Sequence, residues 1–256
     1  VGIVADMGVT VELGQWLSTG YMLMLGVAVP AVTWISRRFS ARQHVLLALG
    51  LSLAGSLMCL AAPGFWVLLA GRVLQAVSTG ILLPFMTTIA MVSFPPGRQA
   101  TAMGIAGVAM GFAPNIGPTV GGAMASTWGW RSFFVLLAAL TCVLTLCALA
   151  LVKPSKPHDA SARLDAGSLI LSTLGLGGVL LGFSNASSFA LGSPYVWIPL
   201  VAGVAVCAAF IVRQKRLDSP LIDLGVFRSR RFNAGFAAQN LLFASFMGVT
   251  LVVPLY

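Results

Sequence analysis

Charge is what this chain has least of. Charged residues make up 8% of it, against about 25% in an ordinary soluble domain. Only six residues are acidic, and each stands at the edge of an apolar run or between two runs. That arrangement excludes the paired core carboxylates that general acid–base chemistry needs. Histidine is limited to His44 and His158, both at segment edges, where they read as ordinary flank residues. The four cysteines, Cys59, Cys142, Cys147 and Cys207, lie inside apolar runs without metal-ligand spacing. They read as small buried hydrophobes. No P-loop, GxSxG, HExxH or CxxC pattern occurs, and no nucleotide-binding domain for an ATP-driven pump. No cleavable signal peptide opens the chain. An enzyme is excluded on these grounds, and no residue set calls for a metal or a cofactor.

What the chain has in abundance is apolar length. Hydrophobic residues are 58% of it, and the mean hydropathy is +0.96. These values predict an all-α protein that crosses a lipid bilayer many times. A crossing needs about 20 apolar residues. Eight runs meet that need, at 13–35, 44–62, 65–93, 99–127, 131–152, 166–185, 194–213 and 233–256. Basic residues gather in alternate loops. Arg37, Arg38 and Arg42 fall in the first, Arg98 in the third, Lys153, Lys156 and Arg163 in the fifth. The seventh carries Arg213, Lys215, Arg216, Arg228, Arg230 and Arg231. Of the 15 basic residues, only Arg72 and Arg131 lie elsewhere. The positive-inside rule makes the odd loops cytoplasmic. The same rule accounts for the net charge of +9 without invoking nucleic acid.

This orientation places residue 1 outside, beside Asp6 and Glu12. With no initiator Met at the start and a stop in mid-pattern at Tyr256, we expect an internal stretch of a longer chain, with at least one helix before Val1. Five regions follow from the pattern. Residues 1–152 hold a first group of apolar helices, 153–165 a cytoplasmic linker and 166–213 two further helices. Residues 214–232 form a loop at the membrane surface, and 233–256 open another apolar run. The triplet Asn185-Ala186-Ser187 reads as a chance match to a glycosylation site.

Two stretches carry the functional signal. The first is a stripe of small or helix-breaking residues, Gly104, Gly107, Gly111, Pro114, Pro118, Gly122 and Ala125, spaced by three or four. Such a face lets another helix come close, and the two prolines should bend the helix or make it yield. The stripe is either a tightly packed helix pair or a pliable contact in a moving membrane protein. The second is Arg72, about 10 Å into its run at 1.5 Å per residue. Gln75 and Thr79 follow on the same face. A mid-membrane Arg costs about 2.5–3.5 kcal/mol on insertion scales. It either snorkels to the surface or faces a polar interior, and its polar neighbours point to the interior. Arg stays charged, so its role is to bind a carboxylate or shift its pKa rather than to carry a proton. Gln15, Tyr21, Asn115, Gln239 and Asn240 are weaker candidates for a cavity wall. The tryptophans near segment ends read as an aromatic belt.

These motifs resemble a known family. Gly71-Arg72-Val-Leu-Gln75-Ala-Val-Ser-Thr-Gly80, followed by Leu83-Pro84, is similar to motif B of the major facilitator superfamily. Ala113-Pro-Asn-Ile-Gly117-Pro118-Thr-Val-Gly121-Gly122 resembles its antiporter motif, motif C. Gln15-Trp16…Tyr21, Phe94-Pro-Pro and Trp130-Arg131-Ser-Phe-Phe134 are similar to the fourteen-helix drug/proton antiporters of the EmrB/QacA type. In that register the chain starts after the first family helix and ends in the ninth, with 1–152 as the amino-terminal bundle, 166–213 as the additional helix pair between the two bundles and 233–256 as the start of the second bundle. One loop departs from the family's motif A: Arg37 stands where an acid is usual and Ser40 where Gly is usual.

The resemblance implies proton-coupled efflux of amphiphilic drugs or antibiotics across a bacterial cytoplasmic membrane by alternating access. Arg72 and Gln75 would serve proton coupling. Gly111, Pro114, Gly117, Pro118, Gly121 and Gly122 would form a hinge-like contact with the opposite bundle. The partners implied are an amphiphilic small molecule, protons and the lipid bilayer, with no cofactor. The alternatives are an exporter of one metabolite on the same fold, or a membrane scaffold or channel without coupled transport.

Overall fold

Each apolar run becomes a helix, the one local structure that satisfies its own backbone in lipid. The computed structural model describes residues 2–153, 165–186, 192–217 and 224–252, and no strand occurs among them. The expected linker falls almost wholly outside the described residues, as do Ser187 and residues 218–223 of the expected surface loop; the rest of that loop is the end of one helix, a 3-10 turn and the start of the last helix. The chain divides into two units, Val1–Phe210 and Ile211–Tyr256.

In the first unit the helices are α1 (Gly2–Met7), α2 (Val11–Ala28), α3 (Ala31–Arg38), α4 (Ala41–Leu60), α5 (Phe65–Ser93), α6 (Gln99–Trp128), α7 (Arg131–Leu151) and α8 (Ala166–Asn185). Helix α9 (Pro194–Gln214) begins in this unit. Among the described residues five helices are long and apolar enough to cross a membrane, or six with α2 and α3 as one bent span. Helices α6 and α10 (Arg230–Val252), at 30 and 23 residues, also exceed the length a bilayer demands.

The first run, read as one segment over 13–35, is two helices bent by 53°. Pro30 sits at the break, without an N–H for the preceding turn and with a ring that crowds it. The prolines of the stripe behave otherwise. Helix α6 runs unbroken through Pro114 and Pro118. The first loop also shrinks. Arg37 and Arg38 lie in the last turn of α3, where they suit the negative end of the helix dipole. Ser40 caps α4: its Oγ accepts from Gln43 N while Gln43 Oε1 accepts from Ser40 N. The departure from Gly at this position therefore supplies a capping box. Arg42, inside α4, donates to the Leu149 carbonyl in the last turn of α7 at 2.9 Å.

His44 is not a flank residue. Its side chain is fully buried, stacked on Phe85 with ring centroids 3.8 Å apart. Nδ1 lies 3.4 Å from Ser36 Oγ and Nε2 3.4 Å from the Ile81 carbonyl oxygen. An imidazole at the fourth residue of α4 thus ties α3 to α5.

The core is layered. Val32, Ile35, Ala48 and Ile81 form an apolar cluster at one end of the α3–α4–α5 group. Cys59, Ala62, Leu68 and Phe134 form another at the opposite end of α4 and α5. Between them along both helices lie Ser56, Gln75 and Ser78, all buried and polar. The helices close tightly at this middle layer. A Cβ on Gly55 would stand 2.6 Å from the Gly71 carbonyl oxygen, so the two backbones touch. A Cβ on Gly80 would stand 2.6 Å from the Leu25 carbonyl oxygen on α2. Small residues do bring helices together here, but not those of the α6 stripe. Around Gly104, Gly107, Gly111, Gly117 and Gly122 an added Cβ would meet nothing within 4 Å.

In the second unit a 3-10 turn (Leu224–Arg228) leads into α10. Asn233 Nδ2 donates to the Phe227 carbonyl at 2.8 Å, and the rings of Phe227, Phe232 and Phe236 pack on one another.

Candidate functional site

Arg72 reaches the middle polar layer because α5 begins at Phe65, which puts it two turns inside the helix. Its Nη1 donates to Gln75 Oε1 at 3.0 Å, one helical turn on. Gln75 Nε2 donates to Ser56 Oγ at 2.9 Å, and Ser56 Oγ donates to the Ser52 carbonyl at 2.8 Å. On the other side Tyr21 lays its ring under the guanidinium, 4.5 Å from centroid to Cζ. Tyr21 OH donates to Thr79 Oγ1 at 2.9 Å, and Thr79 Oγ1 donates to the Gln75 carbonyl at 3.0 Å. Arg72 is therefore an interior residue held by α2, α4 and α5, not a snorkelling one. No acceptor among the described residues reaches its other N–H groups.

Those groups border an open cavity of about 1130 Å³. Arg72 lines it together with Gly117, Pro118, Gly121 and Gly122 of α6. Two stretches more than forty positions apart in sequence thus share one space. Gly121, next to the stripe residue Gly122, has a neighbour, the Phe133 ring 3.5 Å from where its Cβ would be. An aromatic wall of Trp128, Trp130, Phe133 and Phe134 completes one side. The two tryptophans read from the sequence as belt residues therefore also face the cavity. Asp6 is its one carboxylate among the described residues, and Asp6 is already engaged. Its Oδ2 accepts from Arg131 Nη1 and from Trp130 Nε1, each at 3.0 Å. Arg131 also donates to the Ala62 carbonyl at 3.3 Å, so α1, the α4–α5 turn and α7 are pinned at one end of the cavity.

Of the remaining candidates, Gln15 and Gly111 of the first unit are not part of this lining. Gln15 is exposed on α2 and is not in the cavity wall. Gly111 lies on α6, away from the cavity lining. The side chains of Pro114 and Asn115 are outside the described residues. Gln239 and Asn240 belong to the second unit, where both are exposed and Asn240 Nδ2 donates to the Phe236 carbonyl at 2.7 Å. Ser56 was missed. A serine in an apolar run is unremarked until the partner across the helix crossing is known.

Comparison with known proteins places this architecture. The family model of the Major Facilitator Superfamily matches residues 1–256. This chain belongs to the major facilitator superfamily. Relatives within the superfamily carry transporter and resistance names. The lincomycin resistance protein LmrB of Listeria monocytogenes is 35% identical over 94% of this chain and 51% of its own length. The multidrug resistance protein B homolog of Mycobacterium tuberculosis is 32% identical over 99% of this chain and 47% of its own. An uncharacterized superfamily-type transporter of Bacillus subtilis, YcnB, is 34% identical over 99% of this chain and 54% of its own. The superfamily chain described here spans about half the length of these relatives.

Proposed function

We propose that this chain is part of an exporter that exchanges protons for amphiphilic drugs or antibiotics. The observation that carries the reading is the shared cavity of Arg72 and the Gly117–Gly122 turn of α6. A fixed cation in an apolar bundle exists to meet an anion. With Asp6 taken by Arg131, that anion is a carboxylate other than those of the described side chains. Arg72 stabilises it when ionised, and proton uptake releases the pair. The bare face of α6 then meets the opposite bundle and slides or rocks against it as the cavity changes sides. An aromatic wall of Trp128, Trp130, Phe133 and Phe134 suits amphiphiles. Resistance names among relatives support the same substrate class.

The test uses the full-length protein in energised inside-out vesicles with a panel of cationic dyes and antibiotics. Uptake of several unrelated compounds, each with alkalinisation of the lumen, is expected. Response to a single metabolite and to no drug would replace the multidrug reading with a narrow exporter. A steady ion current without substrate would replace it with a channel.

A further inference from the structure

Resting on that reading of Arg72, we infer that Ser56 is a positioning residue for proton coupling, acting through Gln75. Hydrogen-bond polarity decides this. The Ser52 carbonyl can only accept, so the single hydroxyl proton of Ser56 points to it at 2.8 Å. Toward Gln75 the Ser56 oxygen is left only as an acceptor. Gln75 must then turn its NH2 to Ser56 and its carbonyl oxygen to Arg72. Both Ser56 and Gln75 are buried, so neither has bulk water as a substitute partner.

Without the Ser56 oxygen the amide is held only through Arg72, and its buried NH2 is left without this acceptor. Rotated by half a turn, Gln75 would present NH2 to the guanidinium, donor against donor, and the guanidinium would leave its place over Tyr21. The close crossing of α4 and α5 makes the link possible. A Cβ on Gly55 would stand 2.9 Å from Gln75 Cγ, so only glycine beside Ser56 lets the glutamine lie flat against α4. A small hydroxyl on one helix thus sets the direction of a cation on the next.

The experiment is a double-mutant cycle in the full-length protein in inside-out vesicles, comparing Ser56→Ala, Gln75→Met and the double variant, with Arg72→Ala beside them. Dye-driven proton release is measured across pH, with turnover and KM separated. Ser56→Ala is expected to lower turnover on the order of tenfold, to shift the pH profile, and to leave the dye KM within about twofold. Ser56→Cys, which keeps a weak acceptor for Gln75, recovers part of the loss and serves for the cycle where Ser56→Ala does not accumulate in the membrane. In the Gln75→Met background the Ser56 change adds nothing further. Independent, multiplying losses, or a Ser56→Ala protein with an unchanged pH profile, would overturn the inference while Arg72→Ala remains inactive. A fully coupled Arg72→Ala would overturn the coupling reading itself, and this inference with it.

Discussion

Replacing Gly55 by alanine should destabilise the first unit, whereas the same replacement at Gly122 should not. The added methyl at position 55 would lie 2.6 Å from the Gly71 carbonyl oxygen and 3.1 Å from Gln75 N. Ordinary contact begins near 3.4 Å, so α4 and α5 must part by about 0.8 Å, and backbone atoms cannot rotate aside. Overpacking of this kind costs about 1–3 kcal/mol. At roughly 2–4 °C per kcal/mol for a unit of this size, the melting temperature should fall by about 2–12 °C. At Gly122 the added methyl meets nothing within 4 Å, and relief of glycine's helix penalty is worth up to about 1 kcal/mol. Its melting temperature should hold or rise slightly. The assay is thermal unfolding of both purified variants in the same detergent, with drug efflux measured in parallel. On the proposed reading, in which the bare face of α6 meets the opposite bundle, Gly122→Ala is expected to be stable yet impaired in efflux. Gly55→Ala melting with the unaltered protein would refute the close crossing of α4 and α5.

Other outcomes follow from the same geometry. Gly121→Leu, whose side chain enters the cavity beside Phe133, should insert normally in membranes but lose transport, as read by expression and dye efflux; normal efflux would remove Gly121 from the moving contact. His44→Ala leaves a hole under Phe85 and releases Ser36, and should cost about 2–4 kcal/mol in thermal unfolding. Ser40→Ala removes one arm of the capping box and should cost about 1 kcal/mol, seen as a smaller shift in the same assay.

The sequence carries helix positions well because lipid-crossing runs are long and their ends are marked by charge or by Pro and Gly. Segments such as 65–93 and 131–152 match α5 and α7 almost residue for residue. It carries the Arg72 site in part. Gln75 and Thr79 are visible as one face of a helix because helical spacing is local. Ser56 and the placing of Tyr21 under the guanidinium depend on how three helices cross, which no local period encodes. The glycines show the same limit from the other side. A stripe on α6 announces a bare face but not what it meets, while Gly55, unremarkable in its run, meets the Gly71 backbone where α4 and α5 cross. His44 reads as a flank residue because it lies at a run's edge. The bend at Pro30 folds α3 back over it and buries it.

One measurement bears most directly on the role of Arg72. In energised inside-out vesicles holding the full-length protein, lumenal pH is followed as a transported dye is added, with Arg72→Ala and Arg72→Lys as comparisons. The account predicts dye-driven proton release in the unaltered protein, its loss in Arg72→Ala, and partial retention in Arg72→Lys, which keeps the charge but not the fork that meets Gln75. Undiminished, dye-driven proton release from a well-folded Arg72→Ala protein would contradict it and place coupling away from this cavity.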